Sequence, residues 1–296
     1  MSATTAILTS RKTRAPRTRG GMTKKRTSDW LLLAGVIVGA LIVLVPFYLI
    51  LVNAFKSPLD YATSGPFALP QALDFTGIIN FWERVNFPEK VWNSIFISSV
   101  VAVLAVLISM LNAFAIGIGR VRGRVWIVLL FFLANLLPQE ALLYPLYYMF
   151  KSVHLYDSVW SVIIVFTVIQ AAFGTYLLSS VFGTFPKEVL EAASLDGATR
   201  WQILWRVVFP ISRPTLSVLL IFFFIWTWNE FLIPLTFLPS NANQTVPVAI
   251  SVLQGDRLMD VTTMAGAALI SIIPTIIFFL IFQRTLTRGI TAGAVK

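Results

Sequence analysis

The chain has 296 residues, of which 57% are hydrophobic and 12% are charged. Soluble domains carry about 25% charged residues, so this chain has too few polar side chains to cover a globule in water. It contains no Cys and one His, His154, which excludes disulfides, thiolate metal sites and multi-histidine metal sites.

Six apolar stretches are long enough to cross a bilayer, which requires roughly 20 residues in a helix. Four of them carry no charge: Trp30–Phe55, Val91–Gly119, Ser158–Pro186 and Val261–Gln283. Two carry a single acid: the stretch from Val125 to about Phe150 contains Glu140, and the stretch from Pro214 to about Pro239 contains Glu230. The expected fold class is an all-α membrane protein with six transmembrane helices.

The basic residues predict how these helices are oriented. Of the 23 Lys and Arg residues, 18 lie in the alternate segments 1–29, 120–124, 187–213 and 284–296. Positive charge concentrates on the cytoplasmic side of a membrane protein, so both termini are expected in the cytoplasm. The expected location of the protein is the bacterial inner membrane. The net charge of +10 therefore indicates membrane sidedness rather than nucleic-acid binding. The tail 1–29 is expected to be disordered.

The longest connection on the outer side, residues 56–90, contains a short amphipathic pattern. Ile78, Phe81, Trp82 and Val85 follow the spacing i, i+3, i+4, i+7 of one helix face. The pattern predicts a short helix lying flat on the outer membrane surface.

The cytoplasmic segment 184–213 predicts two helices joined at a glycine. Glu188 and Glu191 suit the first turns of a helix, and Gly197 readily takes the left-handed conformation that ends one. A second helix begins near Ala198 and is expected to close at Pro210 and Pro214 before the next span. This elbow is either a docking knob for a soluble partner or an ordinary connecting loop, and its shape alone leaves both interpretations open.

The elbow resembles the EAA motif of ABC importer permeases, E-A-A-x3-G-x9-I-x-L-P. Its identical positions are Glu191, Ala192, Ala193, Gly197 and Pro210, while Val207 and Phe209 replace the Ile and the Leu. The resemblance implies that these residues and Asp196 dock in the partner ATPase and transmit its closure to the spans. It also implies the fold of a type I importer permease and a membrane domain over residues 30–296.

Further motifs resemble one subgroup, the carbohydrate permeases similar to the second, six-span permease of maltose-type importers. They are Asn93-Ser94, Asp196-Gly197-Ala198, Trp228-Asn229-Glu230-Phe231, Gln254-Gly255 and the ending from Gln283 to Lys296. The subgroup implies import of a di- or oligosaccharide by alternating access. The implied partners are a second permease, two ATPase subunits and an extracytoplasmic sugar-binding protein.

Polar residues inside the spans are candidates for the substrate path, because charge in a bilayer is costly and faces protein or a water-filled cavity. The candidates are Asn135, Gln139, Glu140, Tyr144, Trp228, Asn229 and Glu230. Hydrogen bonds between helices are the alternative role for all of them.

No phosphate-binding loop G-x-x-x-x-G-K-[ST] occurs, so ATP and its Mg²⁺ are expected on the partner ATPase and this chain is not expected to be an enzyme. The alternatives are an ion-coupled secondary transporter using Glu140 and Glu230, or a membrane enzyme without a recognisable catalytic cluster. Disaccharides, oligosaccharides, uronate fragments and glycerol phosphates all remain open as cargo.

Overall fold

The computed structural model describes residues 27–119, 121–255 and 260–294, and every regular element in these ranges is a helix. The chain divides into two compact units, Met1–Phe47 and Tyr48–Lys296. Helix α1, Thr27–Asn53, supplies the described part of the first unit and begins three residues inside the tail predicted to be disordered. The rest of that tail, Arg120 and Arg257 lie outside the described residues.

The second unit contains the remaining helices. They are α2 Pro58–Ser64, α3 Thr76–Val85, α4 Phe87–Ala113, α5 Arg124–Ala134, α6 Glu140–Ser152, α7 Val159–Gly183, α8 Lys187–Leu195, α9 Arg200–Gln202, α10 Phe209–Asn229, α11 Leu232–Phe237, α12 Val246–Gly255 and α13 Val261–Ala294. Two π-helical segments, Phe114–Ile118 and Ile203–Val208, extend α4 and join α9 to α10. A 3₁₀ turn, Asn241–Asn243, precedes α12.

Five helices of the described chain are long and apolar enough to cross a membrane: Trp30–Asn53, Phe87–Ile118, Val159–Gly183, Arg200–Asn229 and Val261–Gln283. Each overlaps one of the six predicted spans, but the helix Arg200–Asn229 begins before the predicted fifth span, Pro214 to about Pro239, and ends ten residues short of its end. The predicted third span is instead two shorter helices, α5 and α6, separated at residues 135–139. Pro138 lies in this break, where it lacks an N–H and disfavours helical geometry at Leu137. Pro145, by contrast, is accommodated inside α6. The count of six spans remains a prediction.

Helix α3 has the predicted apolar face, but protein covers most of it. Phe81 and Val85 are buried in a cluster with Val246, Ala249 and Ala267 of α12 and α13. Close approach is possible because glycines face the contact: a Cβ on Gly266 would lie 2.9 Å from Ile78 Cγ1. The short helix is confirmed, and most of its apolar face packs on α12 and α13, while Trp82 is exposed; its position at the membrane surface stays a prediction.

The centre of the second unit is formed by α4, α7 and α10. Their buried apolar side chains form one cluster, which includes Met110, Leu178 and Phe223 and extends into the π-helical segment through Leu204 and Val208. This cluster is continuous from the spans to the elbow, so packed side chains connect the elbow to α4 and α7.

At the end of the spans opposite the elbow, the start of α4 and the loop before α7 bind the segment between α11 and α12. Lys90, which is fully buried, donates to the carbonyl of Asn241, and Asn93 Nδ2 donates to the carbonyls of Ala242 and Gln244. Asp157 accepts hydrogen bonds from the Ser240 hydroxyl and backbone N–H. The sequence motif Asn93-Ser94 thus anchors the segment before α12. No pattern in the sequence indicated that Lys90 is buried.

Candidate functional site

The elbow consists of α8, a glycine turn and α9. Gly197 has φ +76°, in the left-handed region, and its N–H donates to Ser194 O. The N–H of Ala198 donates to Ala193 O, which closes the end of α8. Thr199 then caps α9, in a reciprocal pair of hydrogen bonds with Gln202. The predicted arrangement of two helices joined at a glycine is confirmed, and the turn is defined by the left-handed conformation of Gly197.

The residues of the EAA resemblance are placed on the exposed side of this elbow. Glu191, Ala192, Asp196 and Gly197 are exposed, whereas Ala193 is half-buried against the central cluster. Leu195, at the end of α8, is 89% exposed. An apolar side chain therefore protrudes from the elbow, beside the exposed Glu191, Ala192 and Asp196.

The second helix of the elbow does not close before the next span. From Arg200 to Asn229 the chain is one continuous 30-residue helix, so the prediction of a stop at Pro210 and Pro214 was wrong. The π-helical segment Ile203–Val208 explains the continuity, because Phe209 N–H bonds to Leu204 O, five residues back. Pro210, which is exposed, directly follows the last hydrogen bond of this π-helical segment, and Pro214 is accommodated inside α10.

A cavity of about 1150 Å³ lies beside the elbow. The turn preceding α5, the end of α7 and helix α8 form its walls, with Phe182, Phe185 and Leu190 as apolar lining. Arg124, Lys187 and Arg200 contribute positive charge, and Glu191 contributes the one carboxylate of the lining.

A second cavity, of about 340 Å³, lies at the opposite end of α10. It is lined by Phe222, Ile225, Trp226, Asn229 and Glu230. Phe222, Trp226, Asn229 and Glu230 follow the spacing i, i+4, i+7, i+8 of one helix face, which is the signal that would have identified the two aromatic residues from the sequence.

The other candidates for the substrate path lie elsewhere. Trp228 is buried and its ring stacks on that of Phe224, with centroids 6.0 Å apart, which places it in the packing between helices. Asn135 bonds to the carbonyl of Phe131 in its own helix.

The remaining candidates, Gln139, Glu140 and Tyr144, lie at or after the break between α5 and α6. None of them lines the cavity at the end of α10. Tyr144 is exposed and its ring contacts that of Tyr148 at 4.8 Å. Within the described ranges, no group of three or more His, Cys, Asp and Glu side chains could hold a metal ion.

Comparisons with known proteins assign the chain to a family. Residues 118–292 match the family described as "Binding-protein-dependent transport system inner membrane component". The "Inner membrane ABC transporter permease protein YcjP" of Escherichia coli is 29% identical over 277 residues, covering 93% of this chain and 99% of that protein. The "Trehalose/maltose transport system permease protein MalG" of Thermococcus litoralis is 31% identical over 270 residues, covering 90% and 96%.

A solved structure shows the same fold. The crystal structure of a bacterial ABC transporter "involved in the import of the acidic polysaccharide alginate" matches with a TM-score of 0.75 at 22% identity, covering 88% of this chain and 98% of that chain. The membrane-spanning helices and the family match together make this a multi-pass inner-membrane protein. The chain belongs to the family of binding-protein-dependent transport system inner membrane components.

Proposed function

We propose that this chain is a membrane-spanning subunit of an ATP-driven importer for a carbohydrate. The observation that carries the proposal is the elbow: four of its EAA residues, Glu191, Ala192, Gly197 and Pro210, are exposed, and Leu195 protrudes almost completely from it. The complex contains a second permease subunit, two ATPase subunits that bind ATP and Mg²⁺, and an extracytoplasmic sugar-binding protein.

The charge distribution supports a cytoplasmic location for the elbow and both termini. Eighteen of 23 basic residues lie in the segments on that side, including the elbow itself. The pair α5 and α6 serves as the third of six spans, so that the even number returns the chain to the cytoplasm.

The way in which the elbow is attached to the spans supports alternating access. Leu204 and Val208 are fully buried in the central cluster, and the helix from Arg200 to Asn229 is continuous. When the ATPase subunits close on ATP, they displace the tips of the elbows, and each rigid helix carries that displacement into the spans. The cavity at the far end of α10 then opens to receive the cargo.

A carbohydrate cargo is supported by the relative named for trehalose and maltose transport, which is 31% identical over 90% of this chain. The cavity at the end of α10 supports it independently. Aromatic faces from Phe222 and Trp226 stand beside the amide of Asn229 and the carboxylate of Glu230. Sugars offer C–H faces that stack on aromatic rings and hydroxyls that form hydrogen bonds, so both the aromatic and the polar side chains of this cavity can contact a sugar.

Ion-coupled secondary transport by Glu140 and Glu230 has no support. The family is defined by dependence on a binding protein. Glu140 is exposed at the start of α6 and does not line the cavity that contains Glu230, so the described structure provides no shared site for a coupling ion.

The elbow can be tested by cross-linking, because the chain has no Cys of its own. A Leu195→Cys variant labelled with a maleimide–benzophenone reagent should photo-cross-link to the ATPase subunit of the assembled importer, because benzophenone inserts into C–H bonds and requires no thiol on the partner. Leu59→Cys is the matched control, since Leu59 is 75% exposed in α2, a helix outside the elbow. Absence of a product with the ATPase for Leu195→Cys in an active complex, or an equal yield from Leu59→Cys, would contradict the docking role.

A further inference from the structure

The cavity at the end of α10 combines a rigid aromatic surface with polar groups. The rings of Phe222 and Trp226 lie 5.6 Å apart, and Phe173 of α7 contacts both, at 5.9 and 6.1 Å. A neighbouring helix therefore supports the two rings from a second side. A surface held in this way loses little conformational entropy when a ligand stacks on it.

The polar part of the cavity is formed where the fifth predicted span is interrupted. Glu230 has ψ 136°, so α10 ends at Asn229 and α11 begins at Leu232. Irregular backbone at membrane depth is stable only where it is buried in protein or lines a water-filled cavity. The five residues that line this cavity include Asn229 and Glu230, so the cavity borders the interruption.

The polar side chains are only partly used by the protein. Asn229 donates its Nδ2 to Ile225 O at 2.7 Å, and this bond leaves the side-chain carbonyl as an acceptor. Glu230 accepts from Leu232 N–H through Oε1 at 3.3 Å, a long bond that leaves carboxylate acceptor capacity. The cavity therefore offers acceptors, which suit the hydroxyl groups of a ligand.

The charge of the cavity has one sign. Between Pro214 and Pro239 the sequence contains a single charged residue, Glu230, and Glu140 is the only other charged residue within the six predicted spans. The lining of the cavity therefore carries one charged side chain, the carboxylate of Glu230, while Lys90 at the same end of the spans is buried and donates to the carbonyl of Asn241. A carboxylate in a medium of low effective dielectric repels a second anion by several times the energy that it would in water.

We propose that Phe222, Trp226, Asn229 and Glu230 form a contact site for a neutral sugar ring and that Glu230 disfavours anionic sugars, a proposal that rests on the proposed import of a carbohydrate. The ring stacks on the aromatic pair, while its hydroxyls donate to Asn229 and Glu230. Among the cargoes left open by the sequence, the site favours neutral di- and oligosaccharides over uronate fragments and glycerol phosphates.

The site lies far from the elbow, which lets it be tested without the ATPase. At 1.5 Å per residue, the end of α10 is about 30 Å from its start beside the elbow. The full-length chain in lipid nanodiscs is examined by saturation-transfer difference NMR with maltose and trehalose as neutral probes and digalacturonate as the anionic probe. Wild type should give ring-proton signals with a neutral disaccharide and weaker signals with digalacturonate.

Two aromatic variants and one control locate the signal. Trp226→Ala should weaken neutral-sugar binding at least about fivefold. Phe222→Ala should act in the same direction, and since Phe222 is 47% exposed, its loss disturbs the packing between helices less than the loss of a buried ring would. Trp92→Ala, which removes another exposed tryptophan, should leave the signals unchanged. Neutral-sugar signals that persist in both aromatic variants would overturn the assignment.

Glu230→Gln tests the selectivity separately from the stacking. Removing the charge should raise binding of digalacturonate relative to maltose by about tenfold. An unchanged ratio, or a wild type that binds digalacturonate as well as maltose, would overturn the role of Glu230. Absence of any disaccharide signal from wild type would overturn the site, while leaving ATP-driven import to be judged by the elbow variants.

Discussion

The side-chain amide of Gln170 in α7 donates to the hydroxyl of Thr227 in α10 across 2.8 Å, and both side chains are buried. Gln170 Oε1 has no partner among the described residues. The amide therefore depends on a single hydrogen bond between two spans. Thr227 lies in the same turns of α10 as the residues that line the cavity.

Thr227→Val should lower the stability of the chain by about 1 kcal/mol, because it leaves the buried Gln170 amide without an acceptor. Replacing both residues, Gln170→Leu with Thr227→Val, should recover part of that loss, since no polar group then stays unsatisfied. Thermal unfolding of the chain in detergent measures both effects. Additive losses in the double variant would show that the bond does not couple the two spans.

Gly174 permits the close approach of α7 to α4. A Cβ at this position would lie 2.2 Å from Ser109 Oγ and 2.8 Å from Ser109 Cβ. Gly174→Ala should destabilise the chain by about 1–3 kcal/mol through overpacking, and a second change, Ser109→Gly, should relieve it. Gly183→Ala is the control, because its Cβ would meet nothing within 4 Å. Equal unfolding temperatures for the Gly174 and Gly183 variants would contradict the close packing.

Asp260 caps the start of α13. Burial raises the pKa of its carboxyl, but hydrogen bonds from Thr263 and Thr262 outweigh this effect and hold the pKa below its ordinary value of 3.8. The ionised form is therefore the one that stabilises the fold, and its contribution is present above pH 3.8 and is lost as the pH falls through the lowered pKa.

The melting temperature of wild type should consequently fall more steeply below pH 4 than that of Asp260→Asn, which has no charge to lose at this position. Glu83→Gln, at an exposed carboxylate of α3, is the control and should follow the wild-type curve. Parallel curves for wild type and Asp260→Asn would show that the cap does not contribute to the pH dependence.

The sequence predicted elements whose physical causes are local. Five of the spans follow from runs of apolar residues, and the turn at Gly197 follows from a glycine between two helical patterns. The break at Pro138 had a local cause as well, but the apolar residues on both sides outweighed it in the prediction.

The parts that the sequence did not predict depend on tertiary contacts. The apolar face of α3 was recognised, yet the pattern cannot distinguish lipid from α12 and α13 as its cover. The burial of Lys90 depends on a carbonyl 151 residues away in the chain, at Asn241. Trp228 is a candidate through the motif Trp228-Asn229-Glu230-Phe231, whereas helical spacing places Trp226 on the side of the cavity.

The most direct test of the account is ATP-driven uptake by the assembled importer in vesicles, with labelled trehalose and maltose as probes. Gly197→Pro cannot adopt φ +76°, and Glu191→Lys reverses a charge on the exposed side of the elbow. Both should insert normally and reduce uptake to the level measured without ATP, while Glu83→Lys, a charge reversal away from the elbow, should transport as wild type does. Wild-type uptake by a Gly197→Pro or Glu191→Lys complex that contains its ATPase would contradict the account.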